Sequence, residues 1–260
     1  MQYSPKIMGI LNITPDSFYD GNPTLSNKSI SDKIEKIEQA DIIDVGCESS
    51  RPGSDQISLQ EELRRLDIFL SLNKIKNKIL SIDTTKHLVA AHAAKHGFNI
   101  INDITAGGDD GKMFEVAAEY NLQIILMHML GTPKTMQKDP KYDNLIDNIV
   151  KYIEDRANAA KLHGIKEENI IVDPGIGFGK TLMDNVNIIK NIERFKKIGY
   201  KVLIGHSRKK FLQYNEDSPE DRMSASIGVS AYAAMNNVDI LRVHDVYETK
   251  SMLNTIMRLA

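Results

Sequence analysis

The strongest constraint on the fold is a strict alternation between short apolar runs and longer segments with helical periodicity. The apolar runs are rich in Ile, Val and Leu, and they occupy residues 6–12, 41–46, 78–83, 99–104, 123–129, 169–175, 201–207 and 239–246. Continuous apolar runs of this length are typical of strands buried on both faces of a parallel sheet. The alternation therefore predicts an α/β fold of the (β/α)8 TIM barrel class, with a doubly wound open sheet as the structural alternative.

Segments with charged faces and helical spacing fill the intervals between these runs. The predicted helices cover 29–40, 58–72, 85–97, 112–121, 144–164, 183–199, 221–236 and 248–260. Gly164 and Gly199 stand in C-cap positions after two of them. No linker, low-complexity segment or shift in composition interrupts the chain, so we predict one domain over residues 1–260.

Composition narrows the class of protein. The chain is 42% hydrophobic and 26% charged with a formal net charge of −2, so no basic excess points to nucleic acid. No run approaches the roughly 20 apolar residues of a membrane span, and the N-terminal stretch lacks the apolar core of a signal peptide. The single cysteine, Cys47, excludes an internal disulfide framework. These features predict a cytoplasmic protein with neither membrane nor nucleic-acid partners.

Polar residues close the predicted strands, where the active sites of such barrels lie. In chain order they are Asn12, Asp44 with Glu48, Asp83, Asn102 with Asp103, His128, Asp173, Ser207, and Arg242 with His244. Each one alone is compatible with an ordinary capping role, but their recurrence predicts that they converge on one mouth of the barrel. Four other histidines fall within helical segments and are expected at the surface or in packing: His87, His92, His96 and His163.

The residue types at these ends predict two kinds of recognition. Arg51, Lys209 and Arg242, with His244 and the Ser50 hydroxyl, suit a polyanion such as a diphosphate. A second group, Asp83, Asn102 and Asp173, suits a flat heterocycle that carries N–H and NH₂ groups. Neither the H-E-x-x-H of a zinc site nor the G-x-S-x-G of a nucleophile elbow occurs in the sequence.

The glycine-rich stretch "DPGIGFGKT" (173–181) imitates a phosphate-binding loop without meeting its requirements. A P-loop needs a glycine where this chain has Pro174, which has no N–H to donate. Gly175, Gly177 and Gly179 are spaced two and two, which also fails the dinucleotide pattern G-x-G-x-x-G. The glycines are expected to let the backbone turn sharply and approach a ligand closely, with Lys180 at the start of a helix or at the surface.

Eight stretches, one at each predicted strand end, resemble the dihydropteroate synthase family of pterin-binding TIM barrels. They are "MGILNITPDSFYDG" (8–21), "IIDVGCESSRPGS" (42–54), "SIDTTK" (81–86), "NIINDI" (99–104), "LMHMLGTPKTMQ" (126–137), "VDPGIGFGKT" (172–181), "GHSRKKF" (205–211) and "RVHDV" (242–246). The resemblance implies an enzyme of folate biosynthesis that joins 6-hydroxymethyl-7,8-dihydropterin diphosphate to p-aminobenzoate. It also implies release of diphosphate with Mg²⁺ as cofactor, sensitivity to sulfonamides, and a homodimer.

The resemblance also implies roles for individual residues. The pterin would be bound by Asp83, Asn102, Met127, Asp173, Phe178, Lys209 and Arg242. The diphosphate would be bound by Ser50, Arg51, Arg242 and His244, and Mg²⁺ by Asn12. The p-aminobenzoate pocket would be bordered by Phe18, Ser50, Pro52, Phe178, Ser207 and Lys209. Asp16, Phe18, Asp20 and Pro52 would lie on mobile loops that close over the site. The residues implied in catalysis are Asp20, Arg51, Asp83, Asp173, Lys209, Arg242 and His244.

Two residues depart from the family pattern. Cys47 stands where glycine is usual, which a β-like backbone tolerates but a positive φ would penalise by about 1–2 kcal/mol. A reactive thiol is the alternative interpretation of Cys47. Ser50 replaces the usual threonine; it keeps the hydroxyl and loses a methyl group, which would slightly loosen the p-aminobenzoate pocket and lower sulfonamide sensitivity.

The residues are also compatible with two other functions. One is a methyltetrahydrofolate methyltransferase acting on a corrinoid protein, but such relatives lack the "SSRPG" and "SRK" that this chain contains. The other is a non-catalytic pterin-binding paralogue, which would be expected to lose the diphosphate and metal ligands. This chain contains all of those implied: Asn12, Arg51, Lys209, Arg242 and His244. The sequence is also compatible with a domain of a fused folate enzyme.

Overall fold

The strands close on themselves into a barrel. Residues 4–14, 27–49, 53–72, 77–108, 110–215 and 218–259 are described by the computed structural model. The strands among them are β1 (Lys6–Asn12), β2 (Ile42–Gly46), β3 (Ile79–Asp83), β4 (Ile100–Asp103), β5 (Gln123–Met127), β6 (Ile170–Asp173), β7 (Lys201–Ile204) and β8 (Ile240–Val243). Each strand pairs in parallel with the next, and β8 pairs with β1. The predicted barrel is confirmed, and the open sheet is excluded.

An apolar layer forms the floor of the barrel interior. It takes one side chain from each strand: Met8, Ile42, Ile79, Ile100, Ile125, Ile171, Leu203 and Ile240. Because side chains alternate across a strand, the residue two positions further along points inward again, nearer the carboxyl end. From Ile42 and Ile100 this step leads to Asp44 and Asn102, so the polar site lies directly above the apolar floor.

Helices surround the barrel close to the predicted positions. Those in the described residues are α1 (Asn27–Lys36), α2 (Leu59–Ser71), α3 (His87–Lys95), α4 (Lys112–Glu119), α5 (Leu145–Leu162), α6 (Leu182–Lys190), α7 (Ile192–Lys196), α8 (Met223–Met235) and α9 (Val246–Leu259). The single helix predicted over 183–199 is wrong, because it divides at Asn191. There the side-chain amide donates to the Asn187 carbonyl at 2.8 Å, which competes with the helical backbone pattern.

A glycine cap explains the predicted end of α5, and two histidines lie where the sequence places them. Gly164 follows the last turn of α5 with a φ of +90°, as its C-cap position requires. Two of the helical histidines serve in packing and surface contacts, as expected. His92 contacts Asp67 at 2.8 Å, and the ring of His163 lies 5.4 Å from that of Phe114.

A buried ion-pair network ties the loop after β2 to the outside of the barrel. The Lys86 ammonium donates to Glu48 at 2.8 Å and to the fully buried Glu62 at 2.6 Å. Thr84 donates to the other oxygen of Glu62 at 2.6 Å. Glu48 therefore anchors a loop, and the prediction that it converges on the mouth with the strand-end residues is wrong.

The loop after β6 turns sharply at its glycines. Gly175, Gly177 and Gly179 have φ values of +72°, +81° and +66°, a region that strongly favours glycine. A Cβ at Gly175 would lie 1.9 Å from the carbonyl oxygen of His128. The predicted sharp turn is confirmed, and the close neighbour that excludes a side chain at Gly175 is the backbone that follows β5.

We predict that Gly175→Ala lowers the free energy of unfolding by about 2–5 kcal/mol, from a strained backbone and an overlap that forces the chain to shift. Gly199→Ala is the matched control, because Gly199 also has a positive φ, of +99°, but a Cβ there meets no atom within 4 Å. The control should lose only the backbone contribution, about 1–2 kcal/mol. Urea denaturation of both variants measures the difference, and equal losses would contradict the close-approach explanation.

Candidate active site

Arg242 lies at the centre of the polar layer and joins three strands. Its Nε donates to Asp44 Oδ2 at 2.7 Å, and its Nη2 donates to Asp83 Oδ2 at 2.7 Å. Asn102 donates through Nδ2 to the same oxygen of Asp44 at 2.9 Å. These contacts bring together residues from β2, β3, β4 and β8 in one charged, hydrogen-bonded cluster.

Asp44 is a central member of this cluster, which its sequence position does not reveal. Its side chain is fully buried, and its Oδ2 accepts from both Arg242 and Asn102. The sequence places Asp44 at a strand end but does not predict a role for it in the site. The signal that could have identified it is its spacing, two residues after the inward-facing Ile42 in a strand with no exposed residue.

Asp173 and Lys209 lie beside the Arg242 cluster. A Cβ placed on Gly205 would be 3.7 Å from Asp173 Oδ2 and 3.8 Å from Arg242 Cδ, so these side chains border the same space at the end of β7. Asp173 also accepts from the Gly175 backbone N–H at 2.7 Å. Met127 pairs with Asp173 across β5 and β6, as expected for a wall of the same pocket.

Lys209 connects this cluster to the glycine-rich loop. Its ammonium donates to the carbonyl oxygen of Ile176 and lies 4.6 Å above the centre of the Phe178 ring. Phe178 is half-buried, so part of its ring remains accessible beside the lysine. The predicted neighbours Lys209, Phe178 and Asp173 are thus brought together.

Asn12 projects over Gly46 at the end of β1. A Cβ at Gly46 would lie 3.1 Å from Asn12 Oδ1 and 3.7 Å from Asp83 Cβ. The missing side chain at Gly46 therefore leaves the Asn12 carboxamide oxygen open toward the carboxylate of Asp83. Among the described residues, no group of three or more His, Cys, Asp or Glu side chains is arranged to hold a metal ion.

Ser207 and His244 face each other across the ends of β7 and β8. The Ser207 hydroxyl accepts from the His244 backbone N–H at 3.2 Å and lies 3.1 Å from the imidazole Nδ1. Between Ser207 and Lys209, Arg208 has a φ of +58° and forms a bidentate ion pair with Asp245. This pair joins the two loops and sets the directions of their neighbouring site residues.

Burial dominates the electrostatics of the cluster. It raises the pKa of Asp83, with Arg242 opposing the shift and Asp44 adding to it. It also raises the pKa of Asp173, although Lys209 opposes the rise. Burial lowers the pKa of Lys209 to about 8 despite the nearby Asp173. Three carboxyl groups and two cations thus share one site, so the charge state of each depends on its neighbours.

Besides Glu48, two strand-end residues, Asp103 and His128, do not reach the mouth as predicted. Asp103 follows the inward-facing Asn102 and therefore points outward, where its carboxylate accepts from the backbone N–H groups of Thr105 and Gly107 at 2.8 and 2.7 Å. His128 follows Met127 in the same way and packs against Tyr152 with ring centres 5.0 Å apart. Both side chains serve the layer between the barrel and its helices.

Lys180 was expected at the start of a helix or at the surface, and the surface location is wrong. It does precede Thr181, the N-cap of α6, but its side chain is only 3% exposed. Its ammonium turns inward to the loop that follows β5. A lysine next to a helix cap gives no sequence signal of burial, because the amphipathic pattern does not extend into the loop.

Cys47 is fully buried in the packing between β2 and the helices, without a positive φ. Burial raises the pKa of its thiol well above the usual range. The backbone therefore tolerates a side chain at this position, as predicted, and the burial of the thiol argues against the reactive-thiol alternative. Six residues of the predicted site lie outside the described residues: Asp16, Phe18, Asp20, Ser50, Arg51 and Pro52.

The described site combines donors and acceptors for a planar polar ring with cations for an anion. Asp83, Asn102 and Asp173 lie deep in the site, above the apolar floor. Asn102 and Asp173 are buried, and the side chain of Asp83 is 12% exposed. Arg242, Lys209 and His244 lie around them. Such an arrangement binds a heterocycle by its edge and holds an anionic group at its rim.

The chain is similar in sequence to proteins of one known family. Residues 8–244 match the family of proteins described as pterin binding enzymes. A dihydropteroate synthase from Haemophilus influenzae is 40% identical over 255 residues, which cover 96% of this chain and 92% of that protein.

Two solved structures with a similar fold contain a bound ligand. A dihydropteroate synthase from Xanthomonas albilineans with 4-aminobenzoic acid superposes with a TM-score of 0.91 at 33% identity, covering 98% of this chain and 93% of that chain. The same enzyme in complex with 7,8-dihydropteroate gives a TM-score of 0.87 at 31% identity, covering 100% and 95%.

We predict that Asp44→Asn lowers the free energy of unfolding by about 2–4 kcal/mol, because Arg242 loses one of its two buried counter-charges. Asp155→Asn is the control, since Asp155 forms an exposed ion pair with Lys151 at 3.2 Å whose removal should be barely measurable. Urea denaturation at neutral pH compares the two. A loss at Asp44 no larger than that at Asp155 would show that Arg242 does not depend on this partner.

Proposed function

Because the chain belongs to the dihydropteroate synthase family of pterin-binding enzymes, and is a transferase, we propose that it joins 6-hydroxymethyl-7,8-dihydropterin diphosphate to p-aminobenzoate. The C–O bond between the pterin methylene and the diphosphate breaks, and a C–N bond forms to the aromatic amine, which releases one proton. The products are 7,8-dihydropteroate and diphosphate. The observation that carries the proposal is the cluster of Asp83, Asn102 and Arg242 in a chain similar over its whole length to structures holding 4-aminobenzoic acid and 7,8-dihydropteroate.

The deep carboxyl and amide groups are proposed to bind the pterin. Asp83, Asn102 and Asp173 offer acceptors and donors that match the N–H, NH₂ and ring nitrogen groups of a pterin edge. Arg242 is planar and half-buried at the side of this space, which suits stacking of its guanidinium on the ring face. Met127 supplies an apolar wall that is 3% exposed.

Phe178 and Lys209 are proposed to border the p-aminobenzoate pocket. The half-buried ring of Phe178 offers a flat surface to a benzene ring, and the Lys209 ammonium above it supplies a positive charge for a carboxylate. Ser207, held by His244, adds a hydroxyl at the same edge. The predicted Phe18, Ser50 and Pro52 would complete this pocket.

Arg242 and His244 are proposed to meet the diphosphate, together with the predicted Ser50 and Arg51. Mg²⁺ fits this site as a companion of the diphosphate, because the Asn12 carboxamide oxygen at the end of β1 lies beside Gly46, close to Asp83, and can serve as a protein ligand. Mg²⁺ commonly binds in this way, with few protein ligands and with phosphate oxygens and water completing its octahedron. When bound, it would neutralise charge on the departing diphosphate.

The proposed mechanism relies on charge placement rather than on a strong base. Negative charge develops on the leaving oxygens, where Arg242 and His244 stabilise it with the predicted Arg51. Positive charge develops at the pterin methylene, where Asp83 and Asp173 stabilise it with the predicted Asp20. The amine of p-aminobenzoate is neutral and weakly basic, so Phe178 and Lys209 contribute mainly by holding it close to the methylene.

The alternative functions are less compatible with the residues present. A methyltetrahydrofolate methyltransferase would not need Ser207 and Lys209 at an aromatic pocket, yet both face the site here. A non-catalytic paralogue would not need Asn12 or His244. We further propose a cytoplasmic location, in keeping with bacterial relatives; no helix in the described part of the chain has the length and apolar character to span a membrane.

We expect the purified protein to convert dihydropterin diphosphate and p-aminobenzoate to dihydropteroate and diphosphate in equal amounts, only when Mg²⁺ is present. Asp173→Ala should lower kcat/KM by about 100-fold or more, because it removes a buried hydrogen-bonding charge from the pterin site. Leu162→Ala is the control, since Leu162 is 89% exposed at the end of α5. Tight pterin binding without product would instead support the paralogue.

We also expect a homodimer formed through α8 and α9. These two helices pack together and expose Tyr232, Met235, Tyr247, Met257 and Leu259, a concentration of apolar side chains that is typical of an interface. Sedimentation should give twice the 29.2 kDa mass of the chain. A charge introduced by Met235→Glu should shift the protein to monomers, and a monomeric wild type would contradict the proposal.

A further inference from the structure

A buried lysine lies behind the proposed p-aminobenzoate pocket and has no role in the mechanism described above. Lys180 is 3% exposed, although lysine is almost never buried without a partner. No carboxylate in the described part of the chain forms an ion pair with it. Burial lowers the pKa of Lys180 to about 7, with Asp173 opposing the shift, so the position carries an energetic cost. A buried cation without an ion pair requires a specific explanation.

Hydrogen bonds satisfy this ammonium completely. Its three N–H groups have three acceptors, namely the Phe178 carbonyl at 2.9 Å, His128 Nδ1 at 3.0 Å and the His128 carbonyl at 3.3 Å. An ammonium has three donors and no acceptor, so none of its hydrogen-bonding capacity remains for a substrate. Lys180 therefore acts on the protein and not on a ligand.

His128 is suited to accept this bond. Burial, together with the charge of Lys180, lowers the pKa of His128 to about 3, so its ring is neutral at physiological pH. With Nδ1 facing the ammonium, the proton of the neutral ring is assigned to Nε2. The ring is held by Tyr152 and Tyr142, at 5.0 and 6.0 Å between ring centres. The hydrogen bond to Lys180 and the packing against the two tyrosines hold the His128 side chain away from the mouth.

Four consecutive carbonyl groups of the glycine-rich loop accept hydrogen bonds from four different side chains. Lys209 donates to Ile176, and Gln137 donates to Gly177 at 2.6 Å. Lys180 donates to Phe178 at 2.9 Å, and Tyr142 donates to Gly179 at 2.7 Å. A loop with glycines on both sides of Phe178 would otherwise have wide conformational freedom, so these bonds determine where the Phe178 ring points.

We propose that Lys180 is a positioning residue that holds Phe178 in place and thereby sets the affinity for p-aminobenzoate. The proposal rests on the proposed function of the same site. Lys180 links the Phe178 carbonyl to the end of β5, while Lys209 covers the Phe178 ring from the substrate side. Asp83 and Asn102, which are proposed to bind the pterin, lie on β3 and β4 outside this link, so we expect pterin binding to depend on Lys180 less than p-aminobenzoate binding does.

Lys180→Met tests the proposal, because methionine fills similar space and removes all three donors. We expect the KM for p-aminobenzoate to rise about tenfold, while the KM for dihydropterin diphosphate changes less than about twofold. Lys190→Met is the matched control, an exposed lysine at the end of α6, and should leave both values unchanged. Equal rises in both KM values, or a lower melting temperature with unchanged KM values, would overturn the proposal.

Substitutions at His128 provide a second test that leaves Lys180 in place. His128→Gln keeps an acceptor for the ammonium and should behave almost as the wild type, whereas His128→Leu removes it and should raise the KM for p-aminobenzoate by about threefold or more. Identical kinetics for the two variants would contradict the proposal even if Lys180→Met does not fold. Wild-type turnover is measured first, so a chain that makes no dihydropteroate refutes the proposed function, while normal turnover with an unaffected Lys180→Met refutes only this inference.

Discussion

A single guanidinium organises the polar interior of this barrel. Arg242 comes from β8, and its partners Asp44 and Asp83 come from β2 and β3, so their ion pairs cross the line along which the sheet closes. A charge at this depth is stable only with hydrogen-bonded counter-charges, and Asp44 is paired with Arg242 at 2.7 Å. The ion pairs that link β8 to β2 and β3 therefore also position the groups proposed to bind the pterin.

The loop after β6 also depends on polar partners, but here the groups that need hydrogen bonds are backbone carbonyls and not charged side chains. Its glycines allow turns that bring Phe178 to the site, and their positive φ values leave the carbonyl groups unable to form regular sheet or helix bonds. Side chains from four positions supply those bonds, and one of them is the buried Lys180. Placing Phe178 thus requires one charged side chain, Lys180, at a buried position where an apolar residue would be expected.

Inward and outward directions decide which polar strand ends belong to the site. Asn102 and Asp103 are adjacent, yet one contacts Asp44 and the other caps its own loop. Met127 and His128 divide in the same way between the pocket and the outer packing. The outer members still contribute indirectly, since His128 holds the lysine that holds Phe178.

The sequence by itself determined the barrel, because apolar runs and amphipathic helices are local periodic patterns that survive without any knowledge of contacts. It also determined, through its motifs, the family, and it located the strand ends at which the polar residues of the site occur. Only the tertiary structure decided which strand-end side chains point inward, because strands buried on both faces show no polar alternation to reveal it. It alone revealed the pairing of Arg242 with Asp44, 198 residues apart, and the burial of Lys180, since both depend on partners that the fold brings together from distant parts of the chain.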